Sequence, residues 1–491
     1  MAATTPPALE SLRARLGELA DLADLGRLAA WDQRTMMPPE GGPGRAHQLA
    51  TLERLAHDLA SADEIGAWLD ELEPIAGELS DVDRDLVRIA RRDWERTRRV
   101  PVDLAAAVAR AAAEGQDVWQ AARAESDFAA FAPALARNVE LAREMAGHLI
   151  EDGQRPYDAL LGLYDHGLTA ARVSEVFGRL AQELPPLVEA AAARPAPAAL
   201  EVPVDAQRRA VEAVLHRLGV DEQGWRVDVS AHPFTAWVGP RDTRLTTRYD
   251  DGQLESLLAA IHEFGHGLYE RQIAPELART NLGAGTSMSV HESQSKLWEN
   301  HVGRHPAFAA VIAAELTVAG FTVDPLTVTA ALQRVQPSLI RVSADELTYP
   351  LHIVLRFELE LALIEGAIDV ADLPAAWNDG MRRLLGVEVP DDARGVLQDV
   401  HWAAGAFGYF PSYALGCLIA AQLWERLEAD LGPQDDALAG ARVEAIAGWL
   451  AEHVHRPGRR LDTEPLLEQA TGRGLEAEPF LRHVSAIAAA G

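Results

Sequence analysis

Residues 251–272 read DGQLESLLAAIHEFGHGLYERQ, and this stretch contains the H-E-x-x-H pattern at positions 262–266. Its apolar residues recur at three- and four-residue steps, which predicts a helix with one buried side. These apolar positions are Leu257, Ile261, Phe264 and Leu268. Two histidines four residues apart project from one face of a helix and can reach the same metal ion. The stretch therefore predicts a helix that presents His262 and His266 to a cleft.

Glu263 follows the first of these histidines, where its carboxylate would face a water molecule on the metal. Zinc lowers the pKa of such a water towards neutrality, and a glutamate can accept its proton as the water attacks a peptide carbonyl. The motif alone also fits a pair of hydrogen-bonded core histidines, so the rest of the chain has to distinguish the two interpretations.

A catalytic zinc ion needs a third protein ligand and an open position. Glu270 lies about 12 Å along the helix axis from His262, too far for both side chains to bind one ion. The spacing of a metzincin is absent, because Tyr269 and Gln272 stand where that class has glycine and histidine. The third ligand must therefore come from another helix.

The next helical segment, SVHESQSKLWENH, supplies two carboxylates on one face. Gly285 and Thr286 precede it and occupy positions where other zinc peptidases have a ligand glutamate. Glu292 is the first carboxylate of the segment, and Glu299 follows seven residues later. The residues thus favour Glu292 as the third ligand and leave Glu299 as the alternative.

The composition excludes several classes of partner. Acidic residues outnumber basic residues by 74 to 45, which gives a formal net charge of −29 and repels phosphate backbones and anionic membrane surfaces. The single cysteine, Cys417, cannot form an internal disulfide, and Glu10 and Arg13 interrupt the region where a signal peptide would be apolar. We expect a cytoplasmic protein that binds neither nucleic acid nor membranes.

The pattern along the chain is mostly helical. Segments rich in Ala, Leu, Arg and Glu continue through most of the first two hundred residues, with proline and glycine breaks at 36–44, 193–203 and 455–460. Residues 225–250 differ, because β-branched and aromatic residues alternate there between Pro and Gly turns. We expect a mostly α fold with a small β-sheet beside the zinc helix.

The chain resembles the carboxypeptidase Taq family of metallocarboxypeptidases, and five motifs carry the resemblance in order. Besides the H-E-x-x-H pattern, they are DTRLT at 242–246, HESQ at 291–294, IRVSAD at 340–345 and GVLQDVHW at 395–402. The N-terminal WDQRTMMPPEGG also looks like this family, so the resemblance extends over most of the chain.

The resemblance implies a single large helical peptidase fold over residues 1–491 with a deep active-site groove. Within it we expect an N-terminal helical part at about 1–200, a catalytic part at about 225–415 and C-terminal helices at 416–491. It also implies a homodimer that removes single residues from peptide C-termini with broad preference. The implied metal ligands are His262, His266 and Glu292, with Zn²⁺ or Co²⁺ as the ion.

The remaining motifs offer groups for substrate binding and for orienting the ligands. An exopeptidase must recognise a free carboxylate, which suits the planar fork of arginine, so Arg341 is the first candidate and Arg244 the second. A salt bridge that holds its strand is the structural alternative for Arg244. Asp242 could orient a ligand histidine through its second ring nitrogen, or it could pair with an arginine.

His401 and Tyr409 lie where this family has groove residues, and either could donate a hydrogen bond to the developing oxyanion. For His401 a structural role is an equal alternative. Several neighbours are expected to serve the fold alone. These are Trp402, Phe407, Phe410, Asp345, Asp399 and Cys417.

Two other functions remain open from the residues. The oligoendopeptidases also combine H-E-F-G-H with a downstream glutamate helix, but they typically have histidine where this chain has Tyr269, and they lack the last two motifs. A catalytically silent scaffold stabilised by a metal is the third possibility. Glu263 argues against it, because a structural zinc site needs no base and usually closes its fourth position.

Overall fold

The computed structural model describes residues 5–195, 200–250 and 254–490. Within these ranges the chain forms twenty α-helices and three short strands. The N-terminal helices are α1 (Pro7–Thr35), α2 (Gly42–Ala60), α3 (Asp63–Leu72), α4 (Asp81–Arg99), α5 (Val102–Glu125), α6 (Phe128–Leu149), α7 (Pro156–Leu161), α8 (Ala170–Ala192) and α9 (Val204–Arg217).

The middle of the chain contains the sheet and the helices that surround the site. Its elements are β1 (Trp225–Val229), β2 (Thr235–Trp237), β3 (Thr243–Thr247), α10 (Glu255–Gln272), α11 (Met288–Lys296), α12 (Pro306–Val318), α13 (Pro325–Leu332), α14 (Tyr349–Glu365) and α15 (Leu373–Leu385). A π-helical segment, Leu297–Gly303, continues directly from α11.

The C-terminal helices are α16 (Pro411–Leu431), α17 (Asp435–Ala439), α18 (Glu444–Leu450), α19 (Thr463–Thr471) and α20 (Glu478–Ala490). The predicted break at 36–44 is confirmed, because α1 ends at Thr35 and α2 begins at Gly42. The break predicted at 193–203 falls partly on 196–199, which lie outside the described residues. In the part of the chain that the structure describes, no helix has both the length and the apolar character needed to cross a membrane.

The predicted sheet at 225–250 is confirmed as a three-stranded sheet with the order β1-β3-β2. β1 runs parallel to β3 with Arg226 opposite Arg244, and β2 runs antiparallel with Thr235 opposite Leu245. The sheet packs against α10, since Gly267 of that helix fits against the side chains of Trp225 and Thr243. This packing brings Thr235 to the helix that carries the H-E-x-x-H pattern.

Two apolar cores lie on either side of a cavity. The larger core joins α5–α20 and the sheet, and the buried side chains of Leu257, Ile261 and Phe264 connect α10 to it. The smaller core joins α1, α3 and α4 to residues 273–282. Burial of α10 on its apolar side leaves its histidine side at the boundary between the two cores, where the cavity lies.

Candidate metal centre

Three side chains on α10 and α11 converge on one point. The Nε2 atoms of His262 and His266 lie 3.9 and 3.6 Å from Oε2 of Glu292. A possible ligand atom from each residue lies within 4.8 Å of the others. Ligands bound tetrahedrally at ~2 Å are about 3.3 Å apart, so a small adjustment closes this group around one ion.

Glu292 lies beside the histidines because α11 packs very closely against α10 and α16. A Cβ atom on Gly265 would lie 2.5 Å from the backbone oxygen of Gln294, so only glycine allows α10 and α11 to approach this closely. On the other side, a Cβ atom on Gly416 of α16 would lie 2.5 Å from Cγ of Glu292. The side chain of Glu292 is therefore held between two helices and directed at His262 and His266.

The hydrogen bonds of the two histidines leave their Nε2 atoms free to bind a metal. Nδ1 of His262 donates to Oε2 of Glu299 at 2.9 Å. Nδ1 of His266 lies 2.7 Å from Nδ1 of His291, whose Nε2 donates to Oε1 of Glu270 at 2.8 Å. In each case the proton belongs on Nδ1 and the lone pair on Nε2. The residues present therefore fit a divalent metal ion.

Glu299 lies behind His262, and two cations hold it there. Nζ of Lys296 donates to its Oε2 at 2.8 Å, and Nη2 of Arg304 donates to its Oε1 at 3.0 Å. Burial opposes ionisation of Glu299, but Lys296, His262 and Arg304 together outweigh it and hold its pKa well below the ordinary value. This carboxylate is thus an acceptor for a ligand histidine, and Glu292 occupies the ligand position.

Glu263 is buried beside the ligands. Its Oε2 accepts a hydrogen bond from Oγ1 of Thr235 at 2.6 Å, and no described residue donates to its Oε1. Burial raises the pKa of Glu263, although His262 and Thr235 act in the opposite direction. The result is a carboxylate fixed through one oxygen, with the other oxygen available to exchange a proton.

The cavity has a volume of about 940 Å³ and joins this group to the N-terminal helices. His262, Glu263, His266 and Glu292 lie in its wall. Other lining residues come from α1, α2, α4, the loop before β2, the residue Tyr409 before α16 and the start of α16; among them are Leu19, Ala56, Trp94, Phe234, Tyr409 and Tyr413. An extended peptide that enters between the two cores can therefore reach the three ligand atoms.

Comparisons with known proteins agree with this geometry. The family model described as Carboxypeptidase Taq (M32) metallopeptidase matches residues 11–487. Thermostable carboxypeptidase 1 of Thermus thermophilus is 41% identical over 487 residues, which cover 95% of each chain. The chain belongs to the carboxypeptidase Taq (M32) metallopeptidase family.

Solved structures of this family have the same fold. The carboxypeptidase of Pyrococcus furiosus superposes with a TM-score of 0.94 at 33% identity and covers 99% of each chain. An M32 carboxypeptidase of Deinococcus radiodurans gives a TM-score of 0.92 at 34% identity, covering 99% of this chain and 100% of the other. The predicted helical peptidase fold is confirmed, and the enzyme is a metallocarboxypeptidase, not an oligoendopeptidase.

In this M32 carboxypeptidase, Asp242 forms the second of its two predicted contacts, the pairing with an arginine, and the described residues show no hydrogen bond between it and a ligand histidine. Oδ1 and Oδ2 of Asp242 instead accept from Nε and Nη2 of Arg244, both at 2.8 Å. Arg244 also stacks on Trp31, with Cζ 4.2 Å from the ring centroid. Because Glu299 and His291 already engage the ligand histidines, Asp242 pairs with its strand neighbour, and neither it nor Arg244 lines the cavity.

Arg341 lies in a buried ion cluster next to the cavity and not in its wall. Nε and Nη2 of Arg341 donate to Oδ1 of Asp399 at 3.0 and 2.9 Å, and Nε of Arg356 donates to Oδ2 at 2.7 Å. Burial opposes ionisation of Asp399, but the two guanidinium groups outweigh it and hold its pKa below the ordinary range. Tyr413 separates this cluster from the cavity, with its ring centroid 4.9 Å from Cζ of Arg341.

The two proposed oxyanion donors are neighbours, but only Tyr409 reaches the cavity wall. Nε2 of His401 lies 3.1 Å from the hydroxyl of Tyr413, and the rings of His401 and Tyr409 stack at 5.7 Å. Burial lowers the pKa of His401 to about 4, and Arg341 adds to this effect, so its ring is neutral near pH 7. His401 thus contacts a tyrosine of the cavity wall and does not line the cavity itself.

Sequence reasoning missed three residues that contact the site. Tyr413 lies in the cavity wall four residues after Tyr409, and that spacing was the available signal. Thr235 supplies the hydroxyl on Glu263 from a separate strand, which no local pattern indicates. His291 stands inside the HESQ motif, but its contact with His266 depends on how α10 and α11 cross.

Proposed function

We propose that this metallocarboxypeptidase removes single residues from peptide C-termini with broad preference, and that Glu263 is its general base. The observation that supports this most directly is the arrangement of Glu263, whose Oε2 is held by Thr235 and which lines the same cavity as His262 and His266. Geometry and burial both favour proton exchange at Oε1 of Glu263.

The residues of the chain perform most of the proposed reaction. A divalent metal bound at His262, His266 and Glu292 would supply a Lewis acid that polarises the peptide carbonyl. Oε1 of Glu263 accepts a proton from the attacking water and passes it to the leaving amine. The raised pKa of Glu263 strengthens its carboxylate as a base.

Tyrosine hydroxyls complete the proposed site. Tyr409 and Tyr413 line the cavity, and a phenol that donates to the carbonyl oxygen stabilises the negative charge that develops there. The proton on Nε2 of neutral His401 would be donated to the Tyr413 oxygen, which leaves the Tyr413 hydroxyl hydrogen free to point at the substrate. Both tyrosines thus act as neutral donors.

We also propose zinc as the resident ion, a homodimeric assembly and a cytoplasmic location. Two imidazoles and one carboxylate suit zinc, and cobalt is the alternative.

The homodimer rests on the family resemblance, and light scattering of the purified protein tests it. The cytoplasmic location is supported by the single buried cysteine, Cys417.

The function is tested by mass spectrometry of a mixed set of free-acid peptides after incubation with the metal-loaded enzyme. We expect ladders that shorten one residue at a time from the C-terminus. The matched control is Glu263→Gln, which preserves shape but cannot accept the proton, and its turnover should fall by about 10² to 10⁴ while metal content is unchanged. Internal cleavage products, or an active Glu263→Gln enzyme, would overturn the proposal.

A further inference from the structure

The segment from His401 to Tyr409, here called the 401–409 turn, joins the last sequence motif to α16. It is irregular, with Gly405 and Gly408 in the left-handed region at φ of +70° and +86°. The backbone N–H of Ala406 donates to the carbonyl of His401 at 2.9 Å, so the turn closes on itself. Its first and last residues are the two proposed oxyanion donors, and its conformation therefore decides where they lie.

A single carboxylate holds both ends of this turn. Glu360 of α14 is fully buried, and its Oε1 accepts from the indole N–H of Trp402 at 2.8 Å. Its Oε2 accepts from the backbone N–H of Gly408 at 3.1 Å and from the hydroxyl of Tyr157 at 2.6 Å. Trp402 directly follows His401, and Gly408 directly precedes Tyr409. Tyr413 also contacts both His401 and Tyr409, from the cavity side, whereas Glu360 binds the residues next to them from the buried side.

The opposite side of the turn is equally constrained. Nδ2 of Asn138 on α6 donates to the carbonyl oxygens of Trp402 and Ala403, both at 2.9 Å. Gly408 packs against the end of α7, where a Cβ atom would lie 2.7 Å from the carbonyl carbon of Leu160. The turn therefore has acceptors facing α6 and donors facing α14, where Glu360 provides the carboxylate that binds those donors.

We propose that Glu360 is a positioning residue for catalysis, which sets the place of Tyr409 in the cavity wall by binding both ends of the 401–409 turn. This inference rests on the proposed role of Tyr409 in the reaction. Glu360 does not line the cavity, so it acts through the turn and does not touch substrate.

The chemistry of the cluster explains why a carboxylate is needed. Glu360 receives three donors. Its pKa is raised to about 7, so it is ionised in the folded enzyme at pH 8, and an ionised carboxylate only accepts hydrogen bonds. A glutamine would place an NH₂ group against the indole N–H of Trp402 or against the backbone N–H of Gly408. Either orientation leaves one buried donor without an acceptor and releases one end of the turn.

The test is a double-mutant cycle between Glu360→Gln and Tyr409→Phe, with kcat and KM measured for one free-acid peptide at pH 8, where Glu360 is ionised. We expect Glu360→Gln alone to lower kcat by about 10- to 100-fold, the scale for a displaced catalytic group, with KM little changed. In the Tyr409→Phe background the same change should alter kcat by no more than about twofold. Fully additive losses, or Glu360→Gln kinetics equal to those of the parent, would overturn the inference.

Two controls separate positioning from general damage. Tyr157→Phe removes a hydrogen bond to Glu360 but leaves Trp402 and Gly408 bound, so it should retain parental kcat. If Glu360→Gln does not fold, Glu360→Asp takes its place in the cycle, because it keeps the charge and retracts the acceptors.

Hydrogen exchange distinguishes a failure of this inference from a failure of the proposed function. In Glu360→Gln, amides of the 401–409 turn should exchange faster while those of α10 and α11 are unchanged. If Tyr409→Phe has parental activity, the proposed role of Tyr409 is wrong, and the exchange result alone then decides whether Glu360 holds the turn. If the amides of the 401–409 turn exchange at the parental rate in Glu360→Gln, the inference that Glu360 holds the turn is wrong.

Discussion

The Nδ1 atoms of His266 and His291 lie 2.7 Å apart. Two ring nitrogens at this distance share one hydrogen, and His291 already donates from Nε2 to Glu270. His291 is therefore the acceptor, and His266 presents a bare Nε2 to the metal. This chain of three side chains orients a ligand that the H-E-x-x-H motif alone leaves free to rotate.

Replacing His291 by phenylalanine should weaken metal binding, because His266 loses the acceptor that fixes its tautomer. We expect the metal affinity to fall by about 10- to 100-fold, the usual effect of losing such a partner. Competition with a chromogenic chelator measures it. Glu270→Gln is the matched control, since its amide oxygen can still accept from His291 and the loss should be smaller. Parental affinity in His291→Phe would show that the contact does not orient His266.

One metal ion should bind per chain, because the described residues contain one group of His, Cys, Asp and Glu side chains close enough to hold an ion. Elemental analysis after dialysis should find about one equivalent, and zinc is expected when zinc and cobalt are offered together. His262→Ala/His266→Ala should bind none. Metal content that persists in this double variant would place the ion elsewhere.

Thr235→Val should reduce kcat/KM, because Glu263 loses the hydrogen bond that fixes Oε2. That bond lowers the pKa of Glu263, so its loss should raise the pKa and move the acidic limb of the pH–rate profile to higher pH. Thr235→Ser retains the hydroxyl and should behave like the parent. An acidic limb at the same pH in Thr235→Val and the parent would show that Thr235 does not influence the pKa of the general base.

Arg341 is the sequence candidate for binding the substrate carboxylate, and because Tyr413 stands between it and the cavity, this role requires the Tyr413 ring to move aside when the peptide binds. Arg341→Ala should weaken transition-state binding of free-acid peptides by about 2 to 5 kcal/mol and affect amidated peptides much less. The measurement is kcat/KM for matched acid and amide peptides. The structure also offers a purely structural role for Arg341, because Arg341 and Arg356 both pair with Asp399. Equal losses on both peptides would mean that Arg341 serves the fold through Asp399.

Glu360 should make stability depend on pH. Burial raises its pKa from 4.5 to about 7, so between these values the folded enzyme holds a proton that the unfolded chain has released. Its contribution is therefore largest below the unfolded pKa and is lost as pH rises through 7, by about 3 kcal/mol at most. Tm measured from pH 5 to 8 should fall more in the parent than in Glu360→Gln. Parallel curves would contradict the raised pKa.

The sequence by itself determined the helical class, the small sheet at 225–250 and the helix with His262, Glu263 and His266 on one face. These follow from local rules, since side-chain periodicity fixes which residues of a helix or strand point the same way. The five ordered motifs also identified the family before any geometry was known. The order of residues along the chain was sufficient to predict the helical class, the sheet, the histidine helix and the family.

Only the tertiary structure showed which of Glu292 and Glu299 lies beside both histidines and which one accepts a hydrogen bond from His262. Gly265 lets α10 and α11 approach until Glu292 joins the histidines, while Glu299 falls behind His262. The angle and register at which two helices cross depend on packing over their whole surfaces, which no window of sequence contains. Glu360 and the 401–409 turn are likewise far apart in the sequence, and only the packing of the folded chain brings them into contact.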